Sequence, residues 1–185
     1  MAFATSLFIT AIVLLKSLHQ TDASVGVCYG MLGNNLPCAQ DVVNLYESNG
    51  IGAMRLYGPD QATLQALLEG TQNIKLMLGV PNEDIPCIAS DQPTADEWVQ
   101  TNIVPYASFI KYIAVGNEIN PTNNPLASSV EPAMQNILNS LITNSLESLI
   151  KHNRLVILCC ANIGVVNLLR RCFAISCNLY MGHAL

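Results

Sequence analysis

From Val25 onward, short apolar runs alternate with stretches of helical period. Val25-Gly-Val-Cys-Tyr-Gly30 has the makings of a strand ending in glycine. Pro37 to Ser48 follows with Val42, Val43, Leu45 and Tyr46 on one side and Asn49-Gly50 as a stop, which predicts a helix. Ala53-Met-Arg-Leu-Tyr57 is a second strand. Asp60 is placed to cap the next helix, with Leu64, Leu67 and Leu68 inward and Gly70 at its end. Ile74-Lys-Leu-Met-Leu-Gly-Val80 and Tyr112-Ile-Ala-Val-Gly-Asn117 supply the third and fourth strands. Between them Thr94-Ala-Asp-Glu97 reads as a capping box opening a helix through Trp98, Val99 and Ile103. Ser128-Ser-Val-Glu131 reads as another, opening a long helix with Met134, Ile137, Leu138 and Leu141 at helical spacing. Leu155-Val-Ile-Leu158 makes a possible fifth strand.

Strands alternating with helices are βαβ units, and strands buried on both faces read as the near-continuous apolar runs seen here. The pattern predicts an α/β fold of about four βα units plus that fifth strand. A doubly wound nucleotide-binding sheet is one arrangement, but no G-x-G-x-x-G follows the first strand and there is no P-loop lysine. A TIM-type (β/α)₈ barrel is the other. It takes about 250 residues, so residues 25–150 would be an incomplete one.

Composition changes the picture at the two ends. The chain has 185 residues, 51% of them hydrophobic, and much of that excess is terminal. Leu7 to Leu15 is apolar apart from Thr10, and Thr21-Asp-Ala-Ser24 offers small residues for cleavage. Residues 1–24 therefore read as a secretory signal, although no Lys or Arg precedes the apolar run. A buried N-terminal helix is the alternative. The expected location is extracellular. Residues 151–185 form a divergent, hydrophobic tail that holds Cys159, Cys160, Cys172 and Cys177. Its uncharged run from Leu155 to Leu169 is short for a bilayer span, and Arg170-Arg171 follow, so membrane association is not expected.

Net charge is −5 with 11% charged residues, which lacks the basic footprint nucleic acid requires. Seven cysteines leave at least one thiol unpaired, and their spacing matches no disulfide framework. No C-x-x-C and no pair of His at ligand spacing appears, so neither a zinc site nor another metal is expected. His19, His152 and His183 make no convincing base or ligand.

Working residues in either architecture sit at the carboxyl ends of strands. Those ends are Tyr29, Tyr57, Pro81-Asn82 and Asn117-Glu118. Glu118 directly follows an apolar strand, a costly place for a charge unless something uses it. A carboxyl held partly out of water can serve as a general acid. Asn117 could bond a sugar hydroxyl, and tyrosines offer flat faces and hydroxyls suited to pyranose rings. By pattern alone, a Glu after a strand is more often a loop residue or a helix-dipole partner. Tyr29 and Tyr57 are more often core, as is Trp98.

The same strand ends carry a resemblance. Gly26-Val-Cys-Tyr-Gly30 with Gly33-Asn-Asn-Leu-Pro37, Met54-Arg-Leu-Tyr57, Leu76-Met-Leu-Gly-Val-Pro-Asn82, Tyr112-Ile-Ala-Val-Gly-Asn-Glu118 and Pro132-Ala-Met-Gln-Asn-Ile137 stand in that order. From about Val25 to Leu141 the chain resembles plant endo-1,3-β-glucanases of glycoside hydrolase family 17, in their N-terminal portion. The resemblance implies a (β/α)₈ barrel, retaining hydrolysis of 1,3-β-glucan as partner and substrate, and no cofactor. It implies Glu118 as acid/base, with Asn117, Tyr29 and Tyr57 binding substrate, and Glu118 facing the concave strand-end surface near Asn117 and Tyr29. Gly58 stands where the family usually has Asp. The family's second carboxylate lies in a downstream Ser-Glu-Ser-Gly-Trp type motif that this sequence lacks. Two readings follow. One is a glucan hydrolase, in carbohydrate metabolism or plant defence. The other is a truncated or alternatively processed product that at most binds β-glucan. On either reading this chain alone lacks the nucleophile and is expected to be inactive, with an open, aggregation-prone barrel.

Overall fold

A computed structural model describes residues 25–120, 122–146 and the backbone of a strand at 155–156. The signal expected at 1–24 and nearly all of the tail lie outside the described residues. Five strands form one parallel sheet in sequential order: β1 (Val25–Tyr29), β2 (Ile51–Leu56), β3 (Lys75–Val80), β4 (Ile110–Val115) and β5 (Leu155–Val156). Helices α1 (Ala39–Ser48), α2 (Gln61–Glu69), α3 (Ile85–Ser90), α4 (Gln92–Asn102) and α5 (Ala127–Thr143) fill the crossovers. Sequential parallel order is the wall of an α/β barrel; a doubly wound sheet would reverse direction at a switch point.

Side-chain alternation divides the sheet into two faces. Met54, Leu56, Leu76, Leu78, Val80, Ile113 and Val115 point to the helices and are buried with Val43, Leu64, Leu67, Ile88, Val99 and Ile137. Cys28, Arg55, Met77 and Tyr112 are paired across successive strands and form one row on the opposite, inner face. A cavity of about 210 Å³ opens on that row, lined there by Cys28, Arg55, Met77 and Tyr112. It includes neither Asn117 nor Glu118.

The predicted strands and most helices are present, with three local differences. Asp60 caps α2 as expected, its Oδ2 accepting from Thr63 N at 2.8 Å. Helix α4, however, starts at Gln92 and not at the Thr94 box. Asp91 is its cap: Oδ1 accepts from Thr94 N at 2.9 Å and from Thr94 Oγ1 at 2.9 Å. Thr94 is thus the donor at the third helical position, and Pro93 fits the first turn because N–H groups there have no intrahelical acceptor, so the one that proline lacks is not missed. Helix α5 starts at Ala127 without a side-chain cap at Leu126; Asn124 Oδ1 instead accepts from Leu126 N at 2.9 Å. Helix α3 was not anticipated. Six residues hold too little of a 3.6 period to register, yet Ile85 and Ile88 are buried and Asn136 Nδ2 of α5 donates to Ile88 O at 2.9 Å. Trp98 is core, with Nε1 donating to Asp84 Oδ2 at 3.3 Å. Among the described residues no helix is long and apolar enough to cross a membrane.

The Asp91 cap gives a pH-dependent prediction. Bonds from the Thr94 backbone, then from the Thr94 and Ser90 hydroxyls, hold its carboxyl below the usual aspartate value. A depressed carboxylate contributes stability above its unfolded-state pKa, and that contribution disappears as pH falls through the lowered value. Thermal melts of wild type and Asp91→Ala should therefore differ most near neutrality and converge in acid. A gap independent of pH would show that the cap is not working as a charged acceptor.

Candidate active site at the carboxyl ends of the strands

The β3 and β4 ends are held together beyond their last paired residues, Val80 and Val115. Gly116 N donates to Val80 O at 3.1 Å. Gly116 then turns left-handed, with φ +83°, where a Cβ would meet Ile119 Cδ1 at 2.5 Å and Ile85 Cδ1 at 3.0 Å. The positive φ favours glycine, and an added Cβ would also have to push aside the Ile119 and Ile85 methyl tips. Asn82 next bonds both backbone groups of Asn117: its Nδ2 donates to Asn117 O at 2.8 Å, and its Oδ1 accepts from Asn117 N at 2.7 Å. A side-chain amide thereby imitates one more rung of the sheet.

Glu118 follows with φ +55° and is exposed. A left-handed conformation costs a non-glycine residue about 1–2 kcal/mol, so surrounding structure must impose it. The Asn82 clamp does so immediately upstream. The exposure differs from the partial burial expected of a carboxyl behind an apolar strand, because the turn lifts Glu118 off the sheet. Replacing Asn82 by Ala should cost about 1–3 kcal/mol by leaving two partly buried backbone groups without partners. Denaturant unfolding of Asn82→Ala measures this; a change within ±0.5 kcal/mol, the range of a neutral surface substitution, would contradict the clamp.

Arg55 supplies the second support. It is only 8% exposed and reaches from the inner face of β2 to Asn117. Its Nη2 donates to Asn117 Oδ1 at 2.8 Å, and its guanidinium carbon lies 4.2 Å from the centroid of the Tyr57 ring. That stacking is a cation–π contact. Arg55 Nε is buried and has no partner among the described residues. In the sequence Arg55 sits inside Met54-Arg-Leu-Tyr57, where the flanking apolar residues give it no evident role. The signal was available, since a cation inside an apolar strand is as costly as the acid after one.

Of the expected site residues, the structure gathers Asn117, Tyr57 and the segment bearing Glu118 around Arg55 and Asn82. It places Tyr29 elsewhere. Tyr29 is paired with Leu56, on the helix-facing row, and its ring meets Tyr46 of α1 edge-on at 6.4 Å. Burial, then Tyr29 and Cys28, push the Tyr46 phenol up from its ordinary value. Gly58 faces the Pro81 ring, whose Cγ would lie 2.9 Å from a Cβ there.

The family model for Glycosyl hydrolases family 17 matches residues 25–162. The chain belongs to this family. As a member of glycosyl hydrolase family 17 it is 50% identical over 143 residues to a glucan endo-1,3-beta-glucosidase of Vitis vinifera, covering 75% of this chain and 41% of that protein. A glucan endo-1,3-beta-glucosidase of Pisum sativum is 43% identical over 150 residues, covering 79% of this chain and 40% of the relative. Among solved structures, a beta-1,3-glucanase and allergen of Cryptomeria japonica pollen superposes with a TM-score of 0.63 at 41% identity, covering 72% of this chain and 41% of that one. The resemblance read from the strand-end motifs is thus borne out, as is the incomplete α/β barrel. The chain spans about 41% of the length of the Vitis vinifera relative.

Proposed function

We propose that the protein is a glycoside hydrolase of the glucan endo-1,3-β-glucosidase type, with Glu118 as acid/base. The observation that carries this is the position of Glu118. In a member of glycosyl hydrolase family 17, it stands at the carboxyl end of β4 on a turn fixed by Asn82 and Arg55. Strand carboxyl ends are where barrel enzymes keep their chemistry. Glu118 would protonate the glycosidic oxygen as the bond breaks and then draw a proton from the incoming water. Retention needs a second carboxylate about 5–5.5 Å from the first, as nucleophile. Glu118 would be the acid/base half of such a pair. Asn117 and Tyr57 would contact the sugar; a cleft role for Tyr29 rests on the resemblance alone.

Secretion through a leader at residues 1–24 belongs to the same proposal and rests on sequence. Edman sequencing of secreted protein should begin near Ser24 or Val25; Met1 would contradict it. The activity test is reducing-sugar release by the full-length protein. Internal cleavage of laminarin without cleavage of a 1,4-β-glucan supports the proposal. Binding of laminarin without any product would favour the glucan-binding reading instead.

A further inference from the structure

The geometry points to Arg55 as a positioning residue that sets the polarity of the Asn117 amide, so that Asn117 meets a ligand as a hydrogen-bond donor. The inference rests on the proposed reading of Asn117 as a sugar contact and specifies its chemistry. An asparagine amide can face either way, and oxygen and nitrogen are near-isosteric. Here the choice is forced. A guanidinium has five N–H donors and no acceptor, so the atom 2.8 Å from Arg55 Nη2 must be the carbonyl oxygen of the amide. Flipping the amide would set two donors against each other, in a place where Arg55 is only 8% exposed.

The backbone of Asn117 cannot rotate to escape this choice, because Asn82 holds its N–H and its C=O at 2.7 and 2.8 Å. Arg55 is itself held, with its guanidinium stacked on the Tyr57 ring at 4.2 Å. The remaining group, Asn117 Nδ2, has no partner among the described residues. Two N–H bonds are therefore presented on a fixed side chain adjoining Glu118. The ligand atom that suits them is a hydroxyl oxygen offering a lone pair. Arg55 does not touch the ligand; it acts through Asn117, and its stacking on Tyr57 serves to hold the guanidinium in place.

Asn117→Asp separates the two ends of this amide. The carboxylate keeps, and strengthens, the acceptor that Arg55 needs, but it removes the donor that the ligand needs. Binding of laminarihexaose is measured by calorimetry on the full-length protein carrying Glu118→Gln, so that no turnover occurs. Asn117→Asp should bind about 10-fold more weakly while melting no lower than its parent. Arg55→Met should weaken binding by a similar factor, and that loss should vanish in an Asn117→Ala background, as coupling through one residue requires. Wild-type-like binding by Asn117→Asp would overturn the proposal, and so would an Arg55→Met loss fully additive with Asn117→Ala. Should Arg55→Met fail to fold, the Asn117→Asp arm decides alone. Should the parent not bind laminarihexaose at all, the glucan reading fails, and the amide polarity is judged by melting: Asn117→Asp at or above its parent supports it, and below its parent refutes it.

Discussion

Glu118→Gln should lower kcat of the full-length protein on laminarin by about 10²- to 10⁴-fold, the range a positioned general acid supplies. Glutamine matches glutamate in size and can adopt the same left-handed turn, so the effect should come from the lost proton and not from refolding of the loop. The side chain is exposed, and no described residue pairs with it in an ion pair or hydrogen bond, so melting should move little. Steady-state kinetics with a parallel melt check both halves. A large drop in melting temperature would mean that Glu118 holds the turn together, which the Asn82 clamp is argued to do instead.

Gly79→Ala should be the most damaging small substitution to the fold. Gly79 lies opposite Ala114 on the inner face, where β3 passes under the end of β2. An added Cβ would come within 2.6 Å of the Tyr57 carbonyl carbon and 2.9 Å of its Cα, far inside van der Waals contact. The obstacle is backbone, which cannot swing away as a side-chain tip can. Overpacking of this kind costs about 1–3 kcal/mol and sometimes more, and the upper end is expected here. The comparison is Gly26→Ala in β1, where the new methyl comes no nearer than 3.2 Å to the Ala53 Cβ and 3.7 Å to the Ala53 carbonyl oxygen. Denaturant unfolding should rank Gly79→Ala well below Gly26→Ala. Because Tyr57 stacks on Arg55, displacing its backbone should also weaken the support of Asn117. Equal stability of the two variants would contradict the close strand approach.

The strands were legible because each is buried against helices, and burial writes apolar runs such as Leu76-Met-Leu-Gly-Val80 directly into the sequence. Helix starts were less so. Thr94 and Glu97 imitate a capping box, but Asp91 stands three residues earlier with a charged acceptor, and only the structure shows which one takes the Thr94 N–H. In the site, Glu118 and Asn117 stood out as polar residues ending an apolar strand. Arg55 was overlooked because Met54 and Leu56 flank it in a run that reads as core. Its purpose depends on Asn117, 62 residues away, a partnership that no local pattern records. Tyr29 carries the opposite lesson. Its place at a strand end suggested the cleft, while its register with Leu56 sends the ring to the helices.

The central claim is that Glu118 is the acid of a 1,3-β-glucan hydrolase. The most direct test compares two leaving groups in the full-length protein. Breaking the glycosidic bond of laminarin needs a proton delivered to its oxygen, whereas a 2,4-dinitrophenyl β-laminaribioside releases a stable anion that needs none. First-turnover rates of wild type and Glu118→Gln should diverge by about 10²- to 10⁴-fold on laminarin. On the dinitrophenyl substrate the burst of dinitrophenolate should be nearly the same for both. An equal loss on both substrates, or no loss on laminarin, would show that Glu118 is not the acid.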